Sequence, residues 1–223
     1  MTKSDAVSAS QERNPHARAA TPRASRNTNL TKPIPVMKHF FILLLFVAVS
    51  GTMRAQTSKK FAQDTIIWTK DSLLVKEDFQ SKHKGPIPAA TATGLFIHPE
   101  YSGGTLLLHV EAIFRKSMSY MHDDVPYILN HEQLHFDICE VHARKLRKSI
   151  IDKNFKKVNN IVQVIQKMAD KESSEFNKEE DEYDKDTEHG LNAAKQQVWN
   201  EKVKAELAEL EQYSSTAVDI AAN

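Results

Sequence analysis

Two apolar patterns follow one another along the chain, first the short runs and alternations typical of strands and then helical spacing. Thr65–Val75 holds two short apolar runs around a polar turn, which predicts a strand or a hairpin. Ala89–His98 and Thr105–Phe114 have the length and residue types of strands, and Tyr101–Gly104 predicts the turn between them. Both faces of the second of these strands are partly apolar, so we expect it to be central in a sheet.

From residue 125 onward, apolar residues recur at the spacing of helices. The spacing predicts helices over Val125–Ile150, Phe155–Met168 and Gly190–Tyr213. Lys171–Glu188 carries nine acidic residues and predicts a solvated loop or a frayed helix. Strands followed by helices indicate an α+β domain, in which a small antiparallel or mixed sheet packs on the first helix and further helices complete the C-terminal part.

The sequence before the strands has two parts. Residues 1–36 are rich in Ser, Thr, Asn, Arg and Pro without apolar periodicity, which predicts disorder. Residues 37–55 pair Lys38 with an apolar run too short to span a bilayer and end on Ala55, which predicts a secretory signal peptide. We therefore expect 1–36 to be an upstream extension and 56–223 to be a single exported domain, secreted or periplasmic, without membrane attachment. Cleavage after Ser50 and a genuine N-terminal anchor are the alternatives.

The charge balance and the cysteine count narrow the possible functions. Lys and Arg number 30 against 29 Asp and Glu, so there is no basic excess and we expect no nucleic-acid partner. Cys139 is the single cysteine, which rules out an intramolecular disulfide. It lies within the first predicted helix, and we expect a buried, inert thiol.

Residues 131–135 read HEQLH, which is the HExxH motif of zinc peptidases. Two histidines four residues apart lie on one face of a helix, so the imidazoles of His131 and His135 can reach one Zn²⁺. Zinc lowers the pKa of a bound water, and Glu132 beside it can take the proton as that water attacks a carbonyl. The motif therefore predicts a zinc-dependent peptidase with Glu132 as its general base.

A catalytic zinc needs a third protein ligand, and the sequence offers several. His142 lies about 10 Å beyond His135 along the helix axis, too far to share the metal, so we expect it at the surface or behind a ligand. His189 is the preferred third ligand, because Thr187 can cap the last helix and so place His189 in its first turn beside Gly190.

Other residues near these positions have weaker claims to a role. A carboxylate ligand could come instead from an acidic group made of Glu172, Glu175, Glu179 and Glu180. Asp184-x-Asp186 suggests a calcium loop, but a histidine stands where that loop has its glycine. Tyr183 is the first choice for a catalytic donor to the oxyanion and Tyr127 the second, with packing as the alternative for both. Asp137 either orients a ligand imidazole or pairs with Arg144 or Lys145 at the surface.

Two longer stretches resemble a known family. ILNHEQLHFDICEVHARKLRK (Ile128–Lys148) and YDKDTEHGLNAAKQQVWNEKV (Tyr183–Val203) are similar to bacterial, predicted secreted zinc-dependent proteases that are largely uncharacterised. IIWTKDSLLVKEDF and AATATGLFI resemble the N-terminal half of that family, so the resemblance covers roughly residues 64–212. It implies a zincin-like domain with Glu132 as base and with His131, His135 and His189 as zinc ligands.

Three functions follow from these patterns, in order of preference. The first is a secreted zinc peptidase acting on a peptide or protein substrate. The second is a non-catalytic zincin-like domain that binds zinc or a partner at the cell surface. The third is a structural helical protein that carries the motif by chance. An intact Glu132 favours the first over the second, because a binding module has no need of a base.

Overall fold

A computed structural model describes residues 42–43, 59–71, 73–102, 105–122, 125–156 and 158–220. The predicted extension over residues 1–36 and the predicted signal peptide lie outside these residues, apart from Ile42–Leu43. The tip of the predicted turn at Gly103-Gly104 also lies outside them. Within the described residues, no helix is long and apolar enough to cross a membrane.

The described part of the chain is α+β, with a small, largely antiparallel sheet and four helices. The main sheet has the order β1-β4-β5-β2, with β7 also beside β5, and β3 pairs with β6 in a second, two-stranded sheet. The strands are β1 (Ile42–Leu43), β2 (Thr65–Ile67), β3 (Ala89–Ala90), β4 (Thr93–Ser102), β5 (Thr105–Arg115), β6 (Tyr120–Met121) and β7 (Ala217–Asp219). The helices are α1 (59–64), α2 (Pro126–Ile151), α3 (Ile161–Thr187) and α4 (Ala193–Glu209).

β5 is the central strand, as its two-sided apolar pattern predicts. It pairs with β4 along its length on one side, and with β2 and β7 at its two ends on the other. The predicted hairpin over Thr65–Val75 is wrong beyond Ile67. There the chain leaves the sheet, and the N–H of Leu74 donates instead to Oε1 of Gln133 on α2, at 2.8 Å. A helix side chain thus takes the place of a second strand.

α2 forms where the sequence predicts it and makes the centre of the core. Pro126 occupies its first turn, and no glycine or further proline interrupts it. Its buried side includes the fully enclosed Phe136, Ile138 and Cys139. Arg147 is also fully buried, and it donates to Glu140 and to the carbonyl of Val110 on β5. The ion pair lies within α2, and the bond from Arg147 to Val110 joins the helix to the sheet.

α3 extends through the acidic stretch to Thr187, so of the two predicted alternatives the loop is wrong and a helix forms. The charge run alone suggested a solvated segment, but its inward positions are buried at helical spacing, namely at Phe176, Glu180, Tyr183 and Thr187. Glu172, Glu179 and Asp184 also face α2, where they contact its histidines. Exposed acidic residues cover the outer face, where Glu175 pairs with Lys178 at 2.8 Å. One side of the stretch is therefore a packed helix face rich in polar residues.

α4 begins three residues later than the sequence predicts. Thr187 does not cap it, because the Thr187 hydroxyl donates to the carbonyl of Tyr183 within α3, at 2.7 Å. Asn192 is the cap, accepting from the N–H of Lys195. Trp199 is buried and anchors the helix.

Candidate metal centre

Histidines on α2 face carboxylates on α3 along the seam between the two helices. His131 contacts Asp184, His135 contacts Glu180, and His142 contacts Glu172. The numbers rise on one helix as they fall on the other, so the helices run antiparallel. The i, i+4 pair of histidines is therefore matched by an i, i+4 pair of carboxylates, Glu180 and Asp184.

Three donor atoms from this seam lie at the mutual distances that one metal ion requires. Nε2 of His131 and Nε2 of His135 are 3.2 Å apart. Oδ1 of Asp184 lies 3.1 Å from the first and 3.2 Å from the second. Ligands of a tetrahedral zinc with bonds of about 2 Å are about 3.3 Å apart. Among the described residues, these three are the group of histidine, cysteine and acidic side chains that could hold one ion.

The outer nitrogens of both imidazoles are hydrogen bonded, which directs Nε2 inward. Nδ1 of His135 lies 2.9 Å from Oε2 of Glu180, and Nδ1 of His131 lies 3.1 Å from Oε1 of Gln196. The two acceptors imply that each Nδ1 carries a proton and that each Nε2 offers its lone pair to an ion. The donor set and its outer contacts thus fit a metal ion.

Glu132 is buried beside these ligands, and its Oε2 makes no well-formed hydrogen bond to the described residues. Burial raises the pKa of the Glu132 carboxyl above its usual range, and the positive charges of His135 and His131 offset this only in part. A buried carboxylate oxygen without a donor is costly unless a ligand or water supplies one. Glu132 therefore has the burial and the free oxygen of a group that handles a proton.

The carboxylates also control the charge of the ligands. Burial opposes a charge on His135, but Glu180 and Asp184 outweigh it and raise the pKa of His135 well above its usual range. Burial also opposes ionisation of Asp184, yet the hydrogen bonds from His131 and His135 hold the pKa of Asp184 far below normal. The site thus attracts positive charge, which a proton or a metal ion can supply.

His189, the predicted third ligand, lies next to this group but outside it. Its Nδ1 is 3.3 Å from Oδ1 of Asp184, and its side chain is 50% exposed. The chain turns sharply here, with φ of 52° at Glu188, 54° at His189 and 84° at Gly190. A Cβ at Gly190 would lie 3.0 Å from Cβ of His131, so only glycine allows this loop to pack so closely against His131. The predicted position of His189 at the start of α4 is wrong.

Asp184, which belongs to this donor group where the sequence favours His189, is not among the zinc ligands that the sequence suggests. The sequence offered a signal, because Glu180 and Asp184 repeat the four-residue spacing of His131 and His135. That spacing becomes informative only once α3 is known to be a helix packed antiparallel to α2. Of the predicted carboxylate alternatives, Glu180 reaches the site, but as the partner of His135 Nδ1.

Tyr183 is fully buried beneath the two ligand histidines. Its ring stacks on His131 at 4.6 Å and meets His135 edge-on at 4.8 Å. Its hydroxyl lies 3.1 Å from the carbonyl of His131 and 2.7 Å from Nε2 of Gln196. Burial raises the pKa of the Tyr183 hydroxyl far above its usual range. The Tyr183 hydroxyl is therefore engaged with His131 and Gln196 and helps to orient His131. Tyr127, the second choice for the oxyanion donor, is exposed.

His142 is buried, so the predicted place at the surface or behind a ligand is wrong, and it contacts carboxylates of α3 outside the donor group. Its Nδ1 lies 2.7 Å from Glu172 and its Nε2 2.9 Å from Glu179, so its two nitrogens join α2 to α3. Burial opposes a charge on His142, but the two carboxylates outweigh it and raise its pKa. Burial also opposes ionisation of Glu179, yet His142, Lys202 and Lys145 lower the pKa of Glu179 to about 2.

We expect His142→Gln to make unfolding less dependent on pH. A histidine with a raised pKa in the folded state stabilises the fold fully below its unfolded pKa of about 6.5, and this contribution disappears as the pH rises through the folded pKa. Hydrogen bonds to charged groups contribute about 1.5–3 kcal/mol, which sets the scale of the loss at pH 5. Urea unfolding from pH 5 to pH 9 measures it, with the exposed His83→Gln as control. A constant difference across that range would contradict the prediction.

Asp137 and Cys139 lie on α2 away from the donor atoms. Asp137 accepts from Nε1 of Trp68 at 2.8 Å and from Nε2 of Gln133 at 2.9 Å, so it anchors the N-terminal loop rather than a ligand imidazole. Cys139 is fully buried, and burial raises the pKa of its thiol well above the usual range, as an inert thiol requires.

A comparison with known protein families finds a match to part of the chain. Residues 121–190 match a family described as "Bacterial protein of unknown function (DUF922)", a stretch that includes α2, α3 and the loop at Gly190. No curated protein matches the chain. No solved structure matches it either. The match supports a bacterial family over the histidine motif, and zinc-protease activity stays a prediction.

Proposed function

We propose that this protein is a zinc-dependent peptidase of the zincin-like type. The observation that carries the proposal is the triangle of His131 Nε2, His135 Nε2 and Asp184 Oδ1, with sides of 3.1–3.2 Å, beside the buried Glu132. Three protein ligands leave one position of a tetrahedral ion open, which distinguishes catalytic zinc sites from structural ones. In this proposal His189 contacts Asp184 but does not bind the ion.

In this proposal each side chain has a separate task. Zinc, when bound, supplies Lewis-acid activation of a water and of the scissile carbonyl. Glu132 accepts the proton that the water loses as its oxygen attacks the peptide carbon, and it returns this proton to the leaving amine nitrogen. Burial beside the donor group raises the pKa of Glu132, which is the direction that helps a carboxyl hold a proton before delivering it.

Export is part of the same proposal. Lys38, the apolar run after it and Ala55 have the order of a signal peptide, so we expect the mature protein to begin near Gln56 and to act on peptides or proteins outside the cytoplasm. N-terminal sequencing of the protein secreted by its host tests this. An intact chain that starts at Met1 and stays in the cytoplasm would refute it.

The central test is metal content together with hydrolysis. The chain from Gln56 should retain one zinc per molecule after dialysis, hydrolyse a mixture of fluorogenic peptides, lose activity with a chelator and regain it with zinc. A chain that binds zinc but cleaves no peptide would favour the non-catalytic zincin-like domain. A chain that binds no metal would contradict both proposals and favour the structural protein.

A further inference from the structure

A residue of α4 touches the metal centre although it lies 65 positions beyond the histidine it contacts. Gln196 is buried, and its Oε1 is 3.1 Å from Nδ1 of His131. The family match ends at Gly190, so this contact comes from outside the matched stretch. We propose that Gln196 is a positioning residue that fixes which nitrogen of His131 binds the metal. This role rests on the proposed metal site.

The hydrogen bonds of the Gln196 amide give it one orientation. Its Nε2 donates to the hydroxyl of Tyr183 at 2.7 Å and to Oδ1 of Asn200 at 3.0 Å, which uses both of its hydrogens. Oε1 is then the end that faces His131, and an amide oxygen can only accept. Nδ1 of His131 must therefore carry a proton, which leaves Nε2 as the nitrogen that can bind a metal ion beside Asp184.

Tyr183 closes the arrangement from the other side. Its hydroxyl accepts from Nε2 of Gln196 at 2.7 Å, and its one hydrogen lies within reach of both Oε1 of Gln196, at 2.9 Å, and the backbone carbonyl of His131, at 3.1 Å. His131 is thus held at three points: its ring stacks on Tyr183, its backbone carbonyl lies beside the Tyr183 hydroxyl, and its Nδ1 contacts the Gln196 amide. All three residues are buried, with Tyr183 fully enclosed. Because these residues are buried, water does not replace a hydrogen-bond partner that a substitution removes. Such a substitution leaves a buried donor without an acceptor.

The two ligand histidines are consequently held by different chemistry. His135 has a carboxylate, Glu180, behind its Nδ1, whereas His131 has a neutral amide. A carboxylate makes an imidazole a stronger ligand but also attracts a competing proton. A neutral amide selects the nitrogen without adding a further negative charge to a site that already holds Glu132, Glu180 and Asp184.

Two substitutions of Gln196 test the role in the full mature chain. Gln196→Met keeps length and volume but cannot accept, and it should weaken zinc binding about 10–100-fold, as loss of an outer partner commonly does. Gln196→Glu keeps the acceptor, and its affinity for zinc should stay within about tenfold of that of the wild type. Gln197→Met is the matched control, because Gln197 is the next residue on the exposed face of α4. Zinc affinity is measured by competition with a chelator.

A second measurement separates positioning from simple packing. In the zinc-loaded protein, the Nδ1–H proton of His131 should give a slowly exchanging downfield NMR resonance that moves upfield in Gln196→Met and persists in Gln197→Met. Unchanged affinity and resonance in Gln196→Met would overturn the proposal. Loss of zinc binding in a folded Gln196→Glu chain would also overturn it, even if Gln196→Met fails to fold. A wild-type chain that binds no zinc would overturn the proposed function together with this role, so the two failures are distinguishable.

Discussion

Glu132→Gln should lose peptide hydrolysis by about 10²–10⁴-fold in kcat/KM while it keeps its zinc, because a positioned general base contributes about that much. The amide has the shape of the carboxylate but cannot accept a proton from water. It should also leave the metal-free fold at least as stable. Burial raises the pKa of Glu132, so the folded protein already disfavours the charge that the substitution removes.

The measurement combines zinc content, peptide cleavage and thermal unfolding on the same preparation. Glu182→Gln is the matched control, since Glu182 is an exposed carboxylate on α3 and its loss should change none of the three. Activity retained in Glu132→Gln would refute the mechanism. Zinc lost together with activity would instead make Glu132 a ligand, and the assignment of the donor triangle would then be wrong.

Asp184→Ala should weaken zinc binding by more than the roughly 100-fold expected for losing an outer partner, because it removes one of three direct ligands. Oδ1 of Asp184 lies 3.1 Å and 3.2 Å from the two imidazole nitrogens, and no other described side chain completes that triangle. His189→Ala should have a much smaller effect, since its side chain is half exposed and its Nδ1 lies beside the Asp184 carboxylate rather than in the donor triangle. This expectation replaces the sequence-based preference for His189.

The pair of variants decides between the two third ligands. Zinc affinity is measured for Asp184→Ala and His189→Ala side by side, with Asp181→Ala as an exposed acidic control on α3. Cobalt substitution adds a second reading, because its visible spectrum reports the number and type of ligands. Strong loss in His189→Ala with little change in Asp184→Ala would restore His189 as the ligand. Equal losses in both would indicate that the two side chains bind together.

Much of the local structure could be predicted because it depends on residues that are close in sequence. The HExxH spacing places His131 and His135 on one helical face, and the uninterrupted apolar periodicity predicts α2 nearly to the residue. The two-sided apolar pattern of β5 predicts its central position. The burial of Cys139 and Trp199 follows from the same periodicity.

The sequence misled where charge was interpreted without its partners. An acidic run is typical of a solvated segment, but Glu179, Glu180 and Asp184 are hydrogen bonded to histidines of α2. Their charges are stable inside the protein because imidazoles and a lysine compensate them. Thr187 was assigned to the wrong helix for a related reason, since a hydroxyl can cap a following helix or bond back within its own.

The sequence by itself determined the two histidines, the glutamate beside them and the helix that holds them, because one helical turn brings those residues together whatever surrounds them. Only the tertiary structure decided the third donor and the outer partners, since Asp184 and Gln196 reach His131 across 53 and 65 residues. Such contacts depend on the antiparallel packing of α3 on α2 and on the loop at Gly190 that lets α4 approach. No local spacing encodes that packing, and so the centre is completed by the fold.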